Sequence, residues 1–402
     1  MGNSIQFIEN GVRLIASKRN WIEGDAIEQL KHVSRLEGVS QVVGLPDLHP
    51  GRGYPIGAAC FSENRIYPAL VGNDIGCGMS LYETDIEARK VKQDKWEKAL
   101  RNKGFVDQTE WSEQGREVIQ KRVSSSLSES ERLEMESLIC PFDHSLGTIG
   151  GGNHFAEFQR VSKIHNSMKF EALRCSNNAV FLLVHSGSRG LGEAILRQHV
   201  DRFGHKGLAS DSEEATSYML KHDNALRWAE VNRDLIAARM CDALRLNRKQ
   251  LLDVNHNLVS SESIDGQIGW LHRKGVTPAD QGVVIIPGSR GSASYLVKPI
   301  ESDISLNSLA HGAGRKWIRS ECEGRLRSRY KLSELTRTAL GSRVLCDDKA
   351  LIYEEAPEAY KAIDIVVSDL VDAGLVEVIA ELEPIMTYKT TKEANNKGRC
   401  CK

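Results

Sequence analysis

Four short glycine-flanked segments of the chain and a fifth flanked by asparagines each present one histidine, and a sixth segment presents Asp74 and Cys77 within Val71-Gly72-Asn73-Asp74-Ile75-Gly76-Cys77-Gly78. The histidine segments are Pro46-Asp47-Leu48-His49, Gly151-Gly152-Asn153-His154, Val184-His185-Ser186-Gly187-Ser188-Arg189, Asp253-Val254-Asn255-His256-Asn257 and Ala310-His311-Gly312-Ala313-Gly314-Arg315, and they span more than half of the sequence. Glycine beside a ligand lets backbone approach an ion or a phosphate where a side chain would collide, and it allows an imidazole to sit at a loop tip. The pattern reads as one active site assembled from loops far apart in the chain.

The delivering elements are visible as short apolar runs. Gln41 to Leu45 and Val180 to Val184 lead into motif histidines, and Val283 to Pro287 leads into Gly288, so all three read as strands feeding loops to one rim. Glu87 to Arg101, Ser128 to Leu138 and Tyr218 to Ala243 carry helical spacing and are expected as surface helices. Strands and helices cluster instead of alternating, which predicts an α+β fold: a mixed or antiparallel sheet core flanked by helices. With 402 residues, 41% of them hydrophobic, and no linker or solenoid repeat, residues 1–389 are expected as one elaborated domain. Residues 390–402 lack apolar periodicity and are expected as a flexible tail.

Composition excludes a global electrostatic role. Lys and Arg total 53 against 54 for Asp and Glu, so any polyanion must be drawn by a local patch. Nine cysteines without disulfide spacing, and no signal-like or membrane-length apolar run, point to a reducing cytoplasm. Cys60, Cys140, Cys175, Cys241, Cys322 and Cys346 read as buried packing residues, and His165, His199, His205, His222 and His272 as surface residues.

Asp74 and Cys77 stand three apart, with Gly76 and Gly78 free to turn both side chains to one point. A thiolate can bridge two cations, and imidazoles from His154, His185 and His256 can complete two coordination shells with positions left open for phosphate oxygens. The donor set alone suggests zinc first. Each histidine read singly is equally a structural hydrogen-bonder, and His49 reads as a partner for Asp47.

Three further segments are built to bind phosphate: Ser186-Gly187-Ser188-Arg189-Gly190, Pro287 to Ser294 (with Ser289, Arg290 and Ser292), and His311-Gly312-Ala313-Gly314-Arg315. Glycines expose backbone N–H groups, hydroxyls add donors, and guanidinium offers a planar fork to an anion. Any one of them also reads as a simple turn. His311 sits before an expected helix from Gly314 to Cys322, where a neutral imidazole can attack phosphorus; the alternatives are a further metal ligand or a helix cap. The run Arg315, Lys316, Arg319, Arg325, Arg327, Arg329 and Lys331 is the densest positive segment, either a nucleic-acid backbone contact or a solvated helix face.

In order along the chain, Gly44 to His49, Asn73 to Gly78, Gly150 to Phe155, His185 to Gly192, Asn255-His256-Asn257, Ile286 to Ser289 and His311 to Arg315 resemble the motifs of the RtcB family of GTP-dependent RNA ligases. The resemblance implies joining of an RNA 3′-phosphate or 2′,3′-cyclic phosphate end to a 5′-hydroxyl end, with GTP and two Mn²⁺ ions. It implies that Cys77 bridges the metals, with His154 and His185 on one and Asp74 and His256 on the other, and that His311 is guanylylated. It assigns Asn153, Glu157, Ser289, Ser292, Gly312, Gly314, Tyr360 and Lys389 to the nucleotide, and Arg189, Arg290 and Arg315 to phosphate or RNA. Pro50, Arg52, Tyr54, Arg290 and Lys316-Trp317-Ile318 depart from the common pattern, and the chain is short for the family. It therefore resembles a bacterial paralog branch, some members of which accompany a release-factor-like protein. The implied substrates are ends of damaged ribosomal RNA or of tRNA, and dependence on the activator archease is left open. A dinuclear phosphoesterase and an RNA-binding protein without catalysis are the competing readings.

Overall fold

The three apolar runs are strands, Val39–His49, Ala179–Ser186 and Val284–Pro287, and each ends beside a motif. The computed structural model describes residues 4–103 and 140–390, and these strands fall into two large sheets. The six-stranded sheet runs Ile5–Glu9, Val12–Ile15, Val39–His49, Ile56–Ser62, Gln267–Lys274, Asn257–Ile264. The eight-stranded sheet runs Arg248–Asn255, Gly78–Glu87, Ala179–Ser186, Phe155–Ile164, Val376–Thr390, Ser294–Pro299, Val284–Pro287, and Arg343–Cys346 joins alongside Val376–Thr390. Two pairings, Val12–Ile15 with Val39–His49 and Arg343–Cys346 with Val376–Thr390, are parallel; the other described ladders are antiparallel. The α+β expectation holds.

The sheets share a core. Val43, Leu45, Ala59 and Phe61 of the first meet Val284, Ile286 and Val297 of the second, and Ile363, Val366, Val367 and Leu370 of the helix Ile363–Asp372 close the cluster. Leu309, Ala310 and Ala313 belong to it too, so the backbone on both sides of His311 is anchored in the apolar interior.

The segment Tyr218 to Ala243 is helical, within Glu213–Leu244, but it is not a surface helix. Ala225, Trp228, Ala229, Ile236, Ala237 and Met240 are fully buried. Its apolar positions recur at mixed three and four spacing and cover two faces, so Trp228 and Val231 pack in one cluster while Ile236 and Met240 pack in another. Glu87 to Arg101 is corrected as well. Glu87 ends the strand Gly78–Glu87, a short turn follows, and the helix is Gln93–Lys103. Its start is displaced because Ala88 donates its N–H to the Asn178 carbonyl, which keeps this end of the strand tied to its neighbour. The expected helix from Ser128 to Leu138, and the tail beyond Thr390, lie outside the described residues.

His199, His222 and His272 are buried, against expectation. They serve the fold: His222 and His272 ring nitrogens accept the backbone N–H groups of Val259 and Tyr67. Cys60, Cys241, Cys322 and Cys346 are buried as expected, and Cys175 is half-buried.

Candidate metal and nucleotide site

Strand register builds the metal cluster. Gly78 is paired with Ser186 on one side and with Asn255 on the other, so Cys77, His185 and His256 arrive at one strand end, and the His256 N–H donates to the Cys77 carbonyl at 2.7 Å. Phe155 faces His185 across the next ladder and brings His154 alongside. Two glycines are sterically required. Gly76 has φ +73° and a Cβ there would sit 2.9 Å from Ala229 Cβ on the long helix, while a Cβ at Gly187 would sit 2.3 Å from Asp74 Oδ1.

The long helix also locks these loops from beneath. Arg233, fully buried, donates to the carbonyls of Gly76 and Ser186 and to the side chains of Asp253 and Asn255, while Asn232 donates to Gly187 and Ser186. Such a satisfied buried network rigidifies the backbone that carries the ligands.

Cys77 Sγ lies 3.3 Å from His154 Nε2 and 3.2 Å from His185 Nε2. His154 Nε2 is 2.8 Å from Asp74 Oδ2, and the His185 and His256 Nε2 atoms are 3.3 Å apart. Two donor groups result, Cys77 with His185 and His256, and Asp74 with Cys77 and His154. Cys77 is common to both groups; His185 stands with His256 in one and His154 with Asp74 in the other.

The cluster suits divalent cations. Burial pushes His185 and His256 well below the usual histidine range, so both rings are neutral and their lone pairs converge on the thiol. His154 turns Nδ1 to the Ile149 carbonyl, 3.1 Å away, which fixes Nε2 as its inward acceptor. Burial also pushes the Cys77 thiol up, and shared cations are what would reverse that.

His311 stands against this cluster, its ring centroid 4.7 Å from that of His256. Its Nδ1 meets Asp47 Oδ2 at 2.7 Å, and the same oxygen accepts the His311 N–H at 3.2 Å. Asp47 is fully buried. The Asp47 carboxylate therefore belongs to His311, and His49 makes only a 2.8 Å contact to the Asp47 backbone carbonyl. Burial lowers His49 to about 4, so it is neutral. The expected helix start at Gly314 is not found. Gly314 is left-handed at φ +71°, Lys316 and Trp317 donate to the Ala359 carbonyl, and the helix is Arg319–Leu326. His311 thus draws on a buried carboxylate and not on a helix N-terminus.

A cavity of about 1070 Å³ opens beside His311. Asn153, Glu157, Ser289, Tyr360 and Lys389 line it, as do Gly312, Gly314, Arg189, Arg290 and Arg315, whereas Ser292 does not. Ser292 Oγ instead accepts the Ser289 N–H at 2.7 Å and closes that loop. Glu157 faces Thr387 across the ladder, and burial lifts its carboxyl to about 6 against hydrogen bonds from Thr387 and Gln159.

Sequence reasoning missed the hub of this wall, Glu355. Its carboxylate takes Lys389 Nζ at 3.0 Å, Arg315 Nη1 at 3.1 Å, Arg319, and the Tyr360 hydroxyl at 2.5 Å. Burial alone would raise it, but the Lys389, Arg319 and Arg315 cations hold it down at about 2. Arg315 is consequently engaged by protein, giving its remaining donors to the Glu354 and Trp317 carbonyls. Arg290 is buried, with Nη2 on the Ile352 carbonyl. Arg189 lies under Gly150, where a Cβ would fall 1.5 Å from its Nη1, and its N–H reaches Asp74. No residue near Glu355 signals its role, whereas Arg233, a charge on an apolar helix face, is a signal that could have been read.

A buried thiol shared by two donor groups that could hold metal ions, a carboxylate-oriented histidine and a cation-rich wall lie around one cavity. The chain belongs to the RtcB family: the family's sequence model, described as tRNA-splicing ligase RtcB, matches residues 29–140 and 128–390. It is 50% identical over 391 residues to the RNA-splicing ligase RtcB2 of Escherichia coli, covering 97% of this chain and 99% of that protein. It is 30% identical over 446 residues to the tRNA-splicing ligase RtcB of Archaeoglobus fulgidus, covering 92% of each, and 28% identical over 436 residues to the RNA-splicing ligase RtcB of Mycobacterium tuberculosis. Among the described residues no helix is long and apolar enough to cross a membrane.

Proposed function

We propose that the chain is an RNA ligase that joins a 3′-phosphate or 2′,3′-cyclic phosphate end to a 5′-hydroxyl end, using GTP and Mn²⁺, through a guanylylated His311 and an RNA-(3′)pp(5′)G intermediate. The observation that carries this reading is the His311 Nδ1–Asp47 pair at 2.7 Å beside the metal cluster. Asp47 holds the proton on Nδ1, so the Nε2 lone pair is free to attack the α-phosphorus of GTP; the N–P bond forms as pyrophosphate leaves. The RNA 3′-phosphate then takes the guanylyl group from His311, and the 5′-hydroxyl displaces GMP. A cyclic end is first opened by water.

Two Mn²⁺ ions, held by Asp74, Cys77, His154, His185 and His256, would supply Lewis-acid stabilisation of charge on the phosphate oxygens. Glu157 accepts from guanine N–H groups and Lys389 donates to its carbonyl, the pattern that adenine reverses. Asn153, Ser289 and Tyr360 complete the nucleotide wall, the Gly312 and Gly314 backbone approaches the phosphates, and Arg189 and Arg290 serve phosphate or RNA. The reading treats residues 1–389 as one catalytic unit working in the cytoplasm in RNA repair or splicing, with a release-factor-like protein or archease as functional partners.

Incubation with α-labelled GTP and Mn²⁺ tests it. Label should stay on the protein after denaturation, vanish in His311→Ala, and leave metal content intact. A dinuclear phosphoesterase would hydrolyse RNA ends without labelling, and that outcome would overturn the proposal.

A further inference from the structure

Five residues beyond His311 begins the segment Lys316-Trp317-Ile318, to which the activity as proposed gives no task. Trp317 lines the mouth of the cavity. Its backbone is fixed on both sides: its N–H and that of Lys316 share the Ala359 carbonyl, and its carbonyl accepts Arg315 Nε at 3.1 Å. The indole is half-buried, packed against the cluster of Leu326, Leu351 and Tyr353. Two cations attend the ring, Arg325 at 5.1 Å and Lys316 at 5.3 Å from its centroid. They differ in how they are held. Arg325 is tied to Glu321 by two contacts of 3.1 and 2.7 Å, whereas the Lys316 ammonium has no acceptor among the described residues.

We propose that Trp317 is a stacking platform for an unpaired nucleobase of the RNA strand that carries the 3′-phosphate. The proposal rests on the ligase reading. A half-buried lysine 5.3 Å from an indole centroid, with no acceptor among the described residues, is a weak, exchangeable contact, and a nucleobase stacks on the same face more strongly. On exchange the Lys316 ammonium becomes free for the adjoining phosphate, as strand charge requires. The 3′-phosphate strand is the fitting occupant because its terminal phosphate must reach guanylylated His311, so the bases just upstream lie at the mouth. Stacking is tolerant of base identity, which suits ends generated by damage at varied sequences.

The test uses the full chain and a six-nucleotide single-stranded RNA with a 3′-phosphate, intact or abasic at each of its last three positions. For the wild-type chain, one abasic position should weaken binding roughly tenfold, the scale of one lost base–aromatic stack. Trp317→Leu, which keeps the packed edge but offers no ring face, should bind the intact RNA about tenfold more weakly and lose nothing more at the abasic position. Trp317→Phe should recover most of the affinity, and GTP labelling should be unchanged in both variants. The platform is refuted if no abasic position matters in the wild type, or if Trp317→Leu binds intact RNA normally or keeps the full abasic penalty. It is refuted equally if Trp317→Leu loses GTP labelling, which would assign the residue to the nucleotide wall or to the fold. Absence of labelling in the wild type with the abasic penalty intact would instead strike the ligase reading alone.

Discussion

Replacing Asp47 by Asn and by Ala separates two things that its carboxylate does for His311. Asp47 Oδ2 accepts from the ring at 2.7 Å and from the His311 backbone at 3.2 Å, in a fully buried setting. A hydrogen bond to a charged acceptor contributes ~1.5–3 kcal/mol. During attack on GTP the imidazole gains positive charge, so most of that difference enters the barrier, and Asp47→Ala should slow guanylylation by about 10- to 100-fold. Asn can do worse than nothing. If its amide N–H faces Nδ1, the proton moves to Nε2, the attacking lone pair disappears, and the loss approaches the ~10⁴-fold cost of a wrong tautomer in a catalytic triad. The assay is single-turnover labelling with α-labelled GTP at saturating Mn²⁺, beside metal content and a thermal melt. Metal content should not fall, because Asp47 is in neither donor group, whereas Asp47→Ala should destabilise the fold by ~1–3 kcal/mol, because the buried His311 N–H loses its acceptor. Wild-type labelling rates in Asp47→Asn would refute the orienting role.

Three further outcomes follow from the same geometry. Cys77→Ser should release both metal ions together, read by elemental analysis after gel filtration, because the thiol belongs to both donor groups; retention of one ion would show that the groups are independent. Glu157, lifted by burial to about 6, must be ionised to accept from guanine, so GTP affinity should be constant above that pH and fall about tenfold per unit below it, and Glu157→Gln should bind weakly with no such dependence. Because its folded value lies above the ordinary carboxylate value of about 4.3, the same group stabilises the GTP-free fold below that pH, and up to about 2 kcal/mol is lost as pH rises through about 6. Lys389 is buried on the last strand and donates to the Gly152 carbonyl at 2.9 Å; deleting residues 391–402 should therefore leave GTP labelling intact, while Lys389→Ala should weaken GTP binding about 10-fold or more, and equal behaviour of the two would remove Lys389 from the nucleotide wall.

What was legible in the sequence is what local pattern encodes. The strands that carry His49 and His185 announce themselves as apolar runs, and Asp74, Cys77, His154 and His185 stand in glycine contexts that backbone approach requires, while His256 stands between two asparagines. Which of these donors lie nearest one another was not legible, because it depends on which strands are neighbours, and spacing along the chain carries no information about sheet order. The His311–Asp47 pair joins residues 264 apart, and a nearer partner for Asp47, His49, was available two residues away. The long helix shows the same limit. Mixed three and four spacing identifies a helix but does not say that both of its faces will be covered, nor that Arg233 will sit at its centre holding five separate partners.

On the proposed reading, the charge around the cavity lets a chain with a formal net charge of −1 attract phosphate. The His185 and His256 imidazoles, pushed well below the usual histidine range by burial, are neutral and add no field of their own. In the wall, one carboxylate, Glu355, is set among Lys389, Arg315 and Arg319, which leaves cationic charge in excess around it. Glu355 holds those cations in place without neutralising them, and the buried setting keeps their field from being screened by salt. On the proposed reading attraction acts at the cavity, where the phosphates of GTP and RNA would meet His311.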